Sequence, residues 1–299
     1  MMEQPIFSRI SKPEGNREGH DSLISGWSIE VMPRTAAKID SFRDLLPPNT
    51  RVYIAHLDGT PLEDMVATAK RLNKEGFAVM PHIPARSLES RDMLEDLLNR
   101  YRSEADVRQA LLLAGGNAKP RGSLTSSIDL IETGLFDKMG FTNLHIAGHP
   151  EGSKDIDPDS STTEVDKALL WKCDFANRTD AKMAITTQFA FDAKCIIDWA
   201  ERIEALGVHL PIHVGIAGPA KLQTLIKYAI ACGVGPSLKV LQKRALDFRK
   251  LLTPYEPTEI VSQLVAYKAK TPHSIISKIH MFPLGGIEPA SRWAGQYAG

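Results

Sequence analysis

The sequence predicts a single closed (β/α)8 barrel with extra helices before its last strand. Three observations predict it. Eight short, β-rich apolar runs alternate with longer segments of helical periodicity. The length, 299 residues, suits one such barrel. No G-x-G-x-x-G fingerprint follows the first strand, which weakens the rival reading, an open doubly wound sheet.

The strands are expected at Trp27–Met32, Arg51–Leu57, Phe77–Ile83, Ala110–Ala114, Asn143–Ala147, Lys182–Thr187, Ile212–Ile216 and Lys278–Phe282. Several are almost continuously apolar, as strands covered by helices should be. From Leu62 to Asn73, Met65, Ala69 and Leu72 fall on one stripe, and Gly76 ends the run. From Ser87 to Tyr101 the stripe is Leu94, Leu97, Leu98 and Tyr101. From Asp192 to Leu206 the aspartate is placed as an N-cap. Ile196, Trp199 and Ile203 recur at helical spacing, and Gly207 stands at the C-terminal stop. Gly233 to Lys270 is expected to add helices before the last strand. Helices after nearly every strand imply right-handed crossovers and a parallel sheet. The barrel domain is read as residues 22–299. The polar segment Met1–Asp21 precedes it as a mobile arm or partner-facing strap. No internal repeat or low-complexity linker divides the chain.

Composition narrows the function classes. Hydrophobic residues make up 43% and charged residues 24%, enough for an ordinary core. Lys plus Arg equals Asp plus Glu at 36 each, which argues against a nucleic-acid binder. No apolar run approaches the roughly 18–20 residues of a membrane span, and Met1–Asp21 lacks the apolar stretch of a signal peptide. A cytoplasmic protein is expected. Cys173, Cys195 and Cys232 are far apart and odd in number, which is neither a disulfide framework nor a zinc site. No metal is expected. The arm and the tail Trp293–Gly299 could strap a second copy, so a homo-oligomer stays open.

Barrel chemistry sits at the carboxyl ends of the strands. Polar residues recur there: Glu30, His56, His82, Gly115-Gly116-Asn117, His149-Pro150-Glu151, Gln188, His213 and His280. A histidine near a strand end is commonly just hydrogen-bonded to a loop. Gly115-Gly116 serves equally for a tight turn or for close approach to a flat ligand or phosphate. Glu30, inside an otherwise apolar strand, is the sharpest signal, because a buried unpaired carboxylate costs several kcal/mol and must neutralise or find a partner.

At these residues the chain resembles the methylenetetrahydrofolate reductase family. The strongest pieces are Ile146-Ala147-Gly148-His149-Pro150-Glu151-Gly152 and Ala184-Ile185-Thr186-Thr187-Gln188-Phe189-Ala190-Phe191-Asp192. The second is similar to the family's I-T-Q-F-F-F-D, with one inserted Thr and one Phe replaced by Ala. Ser28-Ile29-Glu30-Val31-Met32-Pro33, Pro81-His82-Ile83 and Gly215-Ile216-Ala217-Gly218-Pro219 follow in the family's order. The resemblance implies a folate substrate, NADH or NADPH as hydride donor and, ordinarily, bound FAD. It implies Glu30 as the proton donor that opens the folate ring. It places Gln188, Asn117, His82 and Phe191 about the folate, and His56, Gly115, Gly116, His149 and Glu151 on the cofactor side. Burial in an apolar strand would favour the protonated Glu30 that this role needs.

The resemblance breaks where the family contacts flavin. Its fourth-strand R-G-D reads Ala114-Gly115-Gly116-Asn117. The His two residues after its Tyr-Pro-Glu is Ser153. Its L-K-x-K reads Trp171-Lys172-Cys173-Asp174. Lost cations weaken pyrophosphate binding through Coulomb terms and lost charge-assisted hydrogen bonds. Two cofactor readings therefore stand: FAD held by altered contacts, or direct hydride transfer from nicotinamide. Oxidation of methyltetrahydrofolate, a non-catalytic folate-binding subunit and a pterin-dependent methyltransferase remain as rivals.

Overall fold

The computed structural model describes residues 23–245 and 253–297; the expected arm, Met1–Asp21, lies outside them. Eight parallel strands close into one barrel in sequence order. They are β1 (Ser28–Val31), β2 (Arg51–Ile54), β3 (Ala78–Pro84), β4 (Gln109–Leu113), β5 (Asn143–Gly148), β6 (Lys182–Thr187), β7 (Ile212–Ala217) and β8 (Ile276–Phe282). Closure is made by β1 on β8, with Ser28 opposite His280. All eight coincide with the predicted runs to within a few residues. The largest difference is at β2, which ends at Ile54 and leaves His56 and Leu57 on the loop.

The main helices are α1 (Leu62–Lys74), α2 (Arg91–Ala105), α3 (Ser127–Glu132), α4 (Thr163–Phe175), α5 (Ala193–Ala205), α6 (Leu222–Ala231), α7 (Gly235–Ala245), α8 (Thr258–Lys270) and α9 (Ile287–Gly295). Single turns at Pro33–Ala36 and Leu135–Lys138 fill shorter connections. α6, α7 and α8 all lie between β7 and β8, which accounts for the helical surplus read from the sequence. The α5 N-cap is as expected: Asp192 accepts a hydrogen bond from the Lys194 N–H. α2 starts later than its periodicity suggests. Ala85–Ser87 forms a 3-10 turn, and the Ser90 hydroxyl caps the helix by accepting from the Met93 N–H. The apolar stripe continues through that turn, so hydrophobic spacing alone could not place the start. Among the described residues, no helix is long and apolar enough to cross a membrane.

The strands alternate sharply. Outward residues such as Ile29, Val52, Val79, Leu112, Ile146, Ile185, Val214 and Ile279 join the main core between sheet and helices. Burying each such side chain stabilises the fold by roughly 1.5–3 kcal/mol. A second, smaller core packs Phe189, Phe191, Leu222, Leu225, Val234 and Tyr255 beneath α6 and α7. The tail residue Trp293 is buried in the main core, and its indole N–H donates to Thr258.

Close approach fixes one glycine at the barrel mouth. A Cβ on Gly148 would lie 2.5 Å from Ile185 Cγ2 and 3.0 Å from the Trp199 ring. Gly148→Ala should therefore destabilise the protein by about 1–3 kcal/mol through overpacking. A urea midpoint equal to that of the parent protein would show that the β5–α5 contact gives way freely.

Candidate functional site

Many of the residues that point into the barrel are polar, where branched apolar side chains usually dominate, although Met80 and Leu111 pack there beside Tyr53. Tyr53 of β2 is the hub. Its hydroxyl lies 2.7 Å from His145 Nδ1 and 3.1 Å from Thr186 Oγ1, and those two are themselves 3.1 Å apart. Ser28 Oγ meets His280 Nδ1 at 2.9 Å. The His145 and His213 rings meet edge to face at 4.8 Å, and Tyr53 tilts against His280 at 4.4 Å. Lower in the barrel, Arg51 donates to Gln109.

Burial sets the charge state of this interior. Desolvation pushes the Tyr53 phenol up to about 12, so it keeps its proton. Desolvation, then the neighbouring His213 and Arg51, holds His145 well below the usual histidine range. Desolvation, then His82 and His213, does the same to His280. His213 falls to about 3, by desolvation first and then Arg51 and Lys278. The histidine stack is therefore neutral. Sequence reading placed His213 and His280 among the strand-end groups; the structure sets them inside the barrel. It missed Tyr53 and His145. Their signal was present, since each stands at the inward phase of its own strand.

Above this layer opens a cleft of about 560 Å³, an ordinary size for a small-molecule site. Glu30 of β1 and His82 of β3 reach it. Their side chains are 19% and 11% exposed, with His82 Nε2 3.2 Å from Glu30 Oε2. Gln188, at the end of β6, shares the wall with Gly115, Gly116, His149 and Glu151. Its Oε1 accepts from the Phe189 N–H at 3.1 Å, which holds the amide at the rim. Gly115 has φ +96° and presses against Pro84, so the loop after β4 needs glycine there.

Seven of the ten expected site residues thus share one cleft: Glu30, His82, Gly115, Gly116, His149, Glu151 and Gln188. The other three lie off its wall. Phe191 is buried in the second core, with its ring 5.2 Å from Tyr255. Asn117 turns its amide to Asp58 at 3.3 Å. His56 stands on the loop after β2, where desolvation first and then the nearby His82 lower its pKa. Glu151 has a structural engagement that sequence did not reveal. Its carboxylate accepts from the Ser237 N–H at 3.1 Å and from the Ser237 hydroxyl. The same hydroxyl accepts from the Phe191 N–H. Glu151 so pins the start of α7, and the end of α6 brings Cys232 and Gly233 to the cleft rim.

No protein-family model matches the sequence. Among the solved structures of similar fold is that of an uncharacterized protein from Clostridium thermocellum that binds two copies of 5-methyl-5,6,7,8-tetrahydrofolic acid. The two align with a TM-score of 0.58 over 94% of this chain and 97% of that one, at 12% sequence identity. At such identity the likeness is one of fold.

The neutral stack gives a pH prediction. An unfolded histidine titrates near 6.5, whereas folded His213 titrates at about 3. Between those values the unfolded chain binds the extra proton, so stability is full above 6.5 and falls as pH drops toward 3. His213→Asn should flatten the loss between pH 6.5 and 4 relative to the parent protein. Urea midpoints across that range would refute the neutral-stack account if both proteins lost stability in parallel.

Proposed function

We propose that the cleft binds a reduced folate and that the chain interconverts 5,10-methylenetetrahydrofolate and 5-methyltetrahydrofolate, with a nicotinamide as hydride partner. The observation that carries this reading is the placement of Glu30, His82 and Gln188 on one cleft at the carboxyl ends of the strands. The sequence resemblance supports it, and so does the folate bound by a protein of similar fold.

The chemistry asks for a proton and a hydride. Opening the five-membered ring breaks the bond between N10 and the bridging carbon, and N10 takes a proton. The resulting N5 iminium accepts a hydride at that carbon and becomes a methyl group; NAD(P)H becomes NAD(P)+. Glu30 is the proton donor in this scheme. His82 Nε2, 3.2 Å away, is placed to return the carboxyl's proton after each cycle. Gln188 both donates and accepts, which suits the edge of a pterin. In the reverse direction the same groups take the proton from N10 while the methyl gives up hydride.

The residues at the family's flavin positions do not fit flavin in the family's manner. Asn117 is turned to Asp58. Asp174, where the family has a second lysine, is 72% exposed and pairs with Arg178 at 3.2 Å. Glu151 holds α7. The reading adopted is therefore direct transfer from nicotinamide, and no step passes through FAD.

Two measurements test this. Glu30→Gln keeps the shape but cannot donate, and should lower turnover by about 10²–10⁴-fold with folate affinity within a few-fold. Equal turnover in the variant removes Glu30 from the chemistry. Freshly purified protein should be colourless and should consume NADH or NADPH anaerobically only when methylenetetrahydrofolate is present. A yellow protein that loses activity on removal of its flavin would overturn direct transfer while leaving the folate reading intact.

A further inference from the structure

The helices α6 and α7 form an insert between β7 and β8 with a core of its own. They pack around Phe189, Phe191, Leu225, Val234 and Leu241, and among the described residues neither helix contributes to the main core between sheet and helices. The base of the insert is tied by backbone hydrogen bonds exchanged between Ala220 and Tyr255, at 2.9 and 3.2 Å. Its far end is the corner between the two helices, where Gly233 turns the chain at φ +67°. The inner side of this corner, Ala231 to Val234, lines the main cleft. Its outer side, at Pro236, lines a groove of about 480 Å³ that runs along α5 and the start of α4. His149, Pro150, Glu151 and Gly152 border both spaces. The corner and the loop after β5 are therefore the partition between cleft and groove.

One side chain closes that partition. Ser237, the third residue of α7, is wholly buried. Its N–H donates to the Glu151 carboxylate at 3.1 Å, and its hydroxyl donates to the other oxygen of the same carboxylate. The hydroxyl oxygen accepts from the Phe191 N–H at 3.0 Å, so Ser237 joins α7 to the loops after β5 and β6. The first N–H groups of a helix have no partner within it, and negative charge is favoured beside them. We propose that the α6–α7 corner is a gate between cleft and groove, with Glu151 and Ser237 as the positioning residues that latch it shut. The latch is polar, so parting it exchanges its hydrogen bonds for hydrogen bonds to water, at a small net cost. The core beneath it is separate, so the corner moves without disturbing the main core. When the latch parts, the corner swings about its tied base and the cleft opens sideways into the groove, which gives a ligand a path in and out. The gate serves whatever ligand the cleft holds. On the reductase reading, a closed gate also keeps water from the reacting carbon.

Hydrogen exchange reads the gate without any ligand. The Ser237 and Phe191 amides are both held by the latch, whereas the Gly215 amide, which donates to the Thr187 hydroxyl at 2.8 Å, lies in the barrel. In the wild-type chain Ser237 and Phe191 should be protected to a similar degree, and less than Gly215, because the gate opens short of unfolding. Glu151→Ala leaves the Phe191–Ser237 hydrogen bond in place. It should nevertheless speed exchange at Phe191 by about ten- to a hundredfold, the range for hydrogen bonds to a charged group, with Gly215 unchanged. Ligand kinetics read the same gate at the cleft. A gate sets how fast a ligand passes, not how tightly it is held. Glu151→Ala and Ser237→Ala should therefore raise the association and dissociation rates of 5-methyltetrahydrofolate together, by about tenfold or more, with Kd within a few-fold of wild type. A latch that only shapes the wall would raise dissociation alone and weaken binding. Protection of Ser237 and Phe191 equal to that of Gly215 in wild type overturns the gate, and so does a rise in dissociation alone in both variants. The wild-type exchange decides even where neither variant folds. It needs no ligand, so failure of the folate to bind counts against the folate reading and not against the gate.

Discussion

The barrel depends on keeping its interior histidines neutral. Tyr53, His145 and Thr186 form a closed triangle of hydrogen bonds in a space without bulk water, and Ser28 and His280 form a second contact beside it. A charged histidine there would sit among other histidines, with Arg51 and Lys278 in the same interior. Desolvation and like charge act in the same direction, so the rings give up their protons rather than their positions. Both contacts fall on one ring nitrogen, His145 Nδ1, and the Tyr53 and Thr186 hydroxyls, each able to donate or accept, adapt to its tautomer. This arrangement trades some apolar packing inside the barrel for directional contacts that fix side-chain positions.

That stack is also the floor of the cleft. Glu30 lies two residues above Ser28 on β1, and His82 two residues above Met80 on β3, so both follow the inward phase of their strands. Thr186 likewise leads to Gln188, the first residue past β6. The inward register that builds the floor therefore delivers a carboxyl, an imidazole and an amide to the mouth. A one-residue slip in any of these strands would exchange the polar group for Ile29 or Val31, Pro81 or Ile83, or Thr187 or Phe189. The outward core enforces the register, because Ile29, Ile83 and Ile185 would have to enter the polar interior.

The fold was legible because both of its periodicities are strong. Apolar runs marked the strands, and stripes such as Met65, Ala69 and Leu72 marked the helices. Ends were less legible, as at α2, where a serine cap and not the stripe decides the start. The site was legible in part. Residues on strands could be placed by phase, so Glu30, His82 and Gln188 meet in one cleft. Residues on loops could not. Asn117 and His56 follow strands β4 and β2, but the loops carry them off the cleft wall. Phe191 departs for another reason: the start of α5 turns its ring into the second core. The Glu151 contact with α7 was invisible, because it joins residues 86 apart in sequence.

Lys172 shows how a cost in the structure can carry information that a motif does not. On helix spacing, Val165, Leu169 and Lys172 share the buried face of α4, where leucine or methionine would pack without penalty. The lysine is instead desolvated, 9% exposed, beside a cavity that shares lining residues with the main cleft. Asp174, two residues on, faces water with Arg178 and contributes nothing to that cavity. In sequence the pair reads as a half-lost motif with one lysine replaced by an acid. In three dimensions the surviving lysine is the member turned inward, and among the described residues its ammonium has no ion-pair partner within 4.0 Å. A surface lysine would drift freely under mutation, whereas a buried one opposes folding in every molecule unless something repays it. The local rule that is broken here is the apolar pattern of the buried face of α4, and packing alone does not account for a lysine on it.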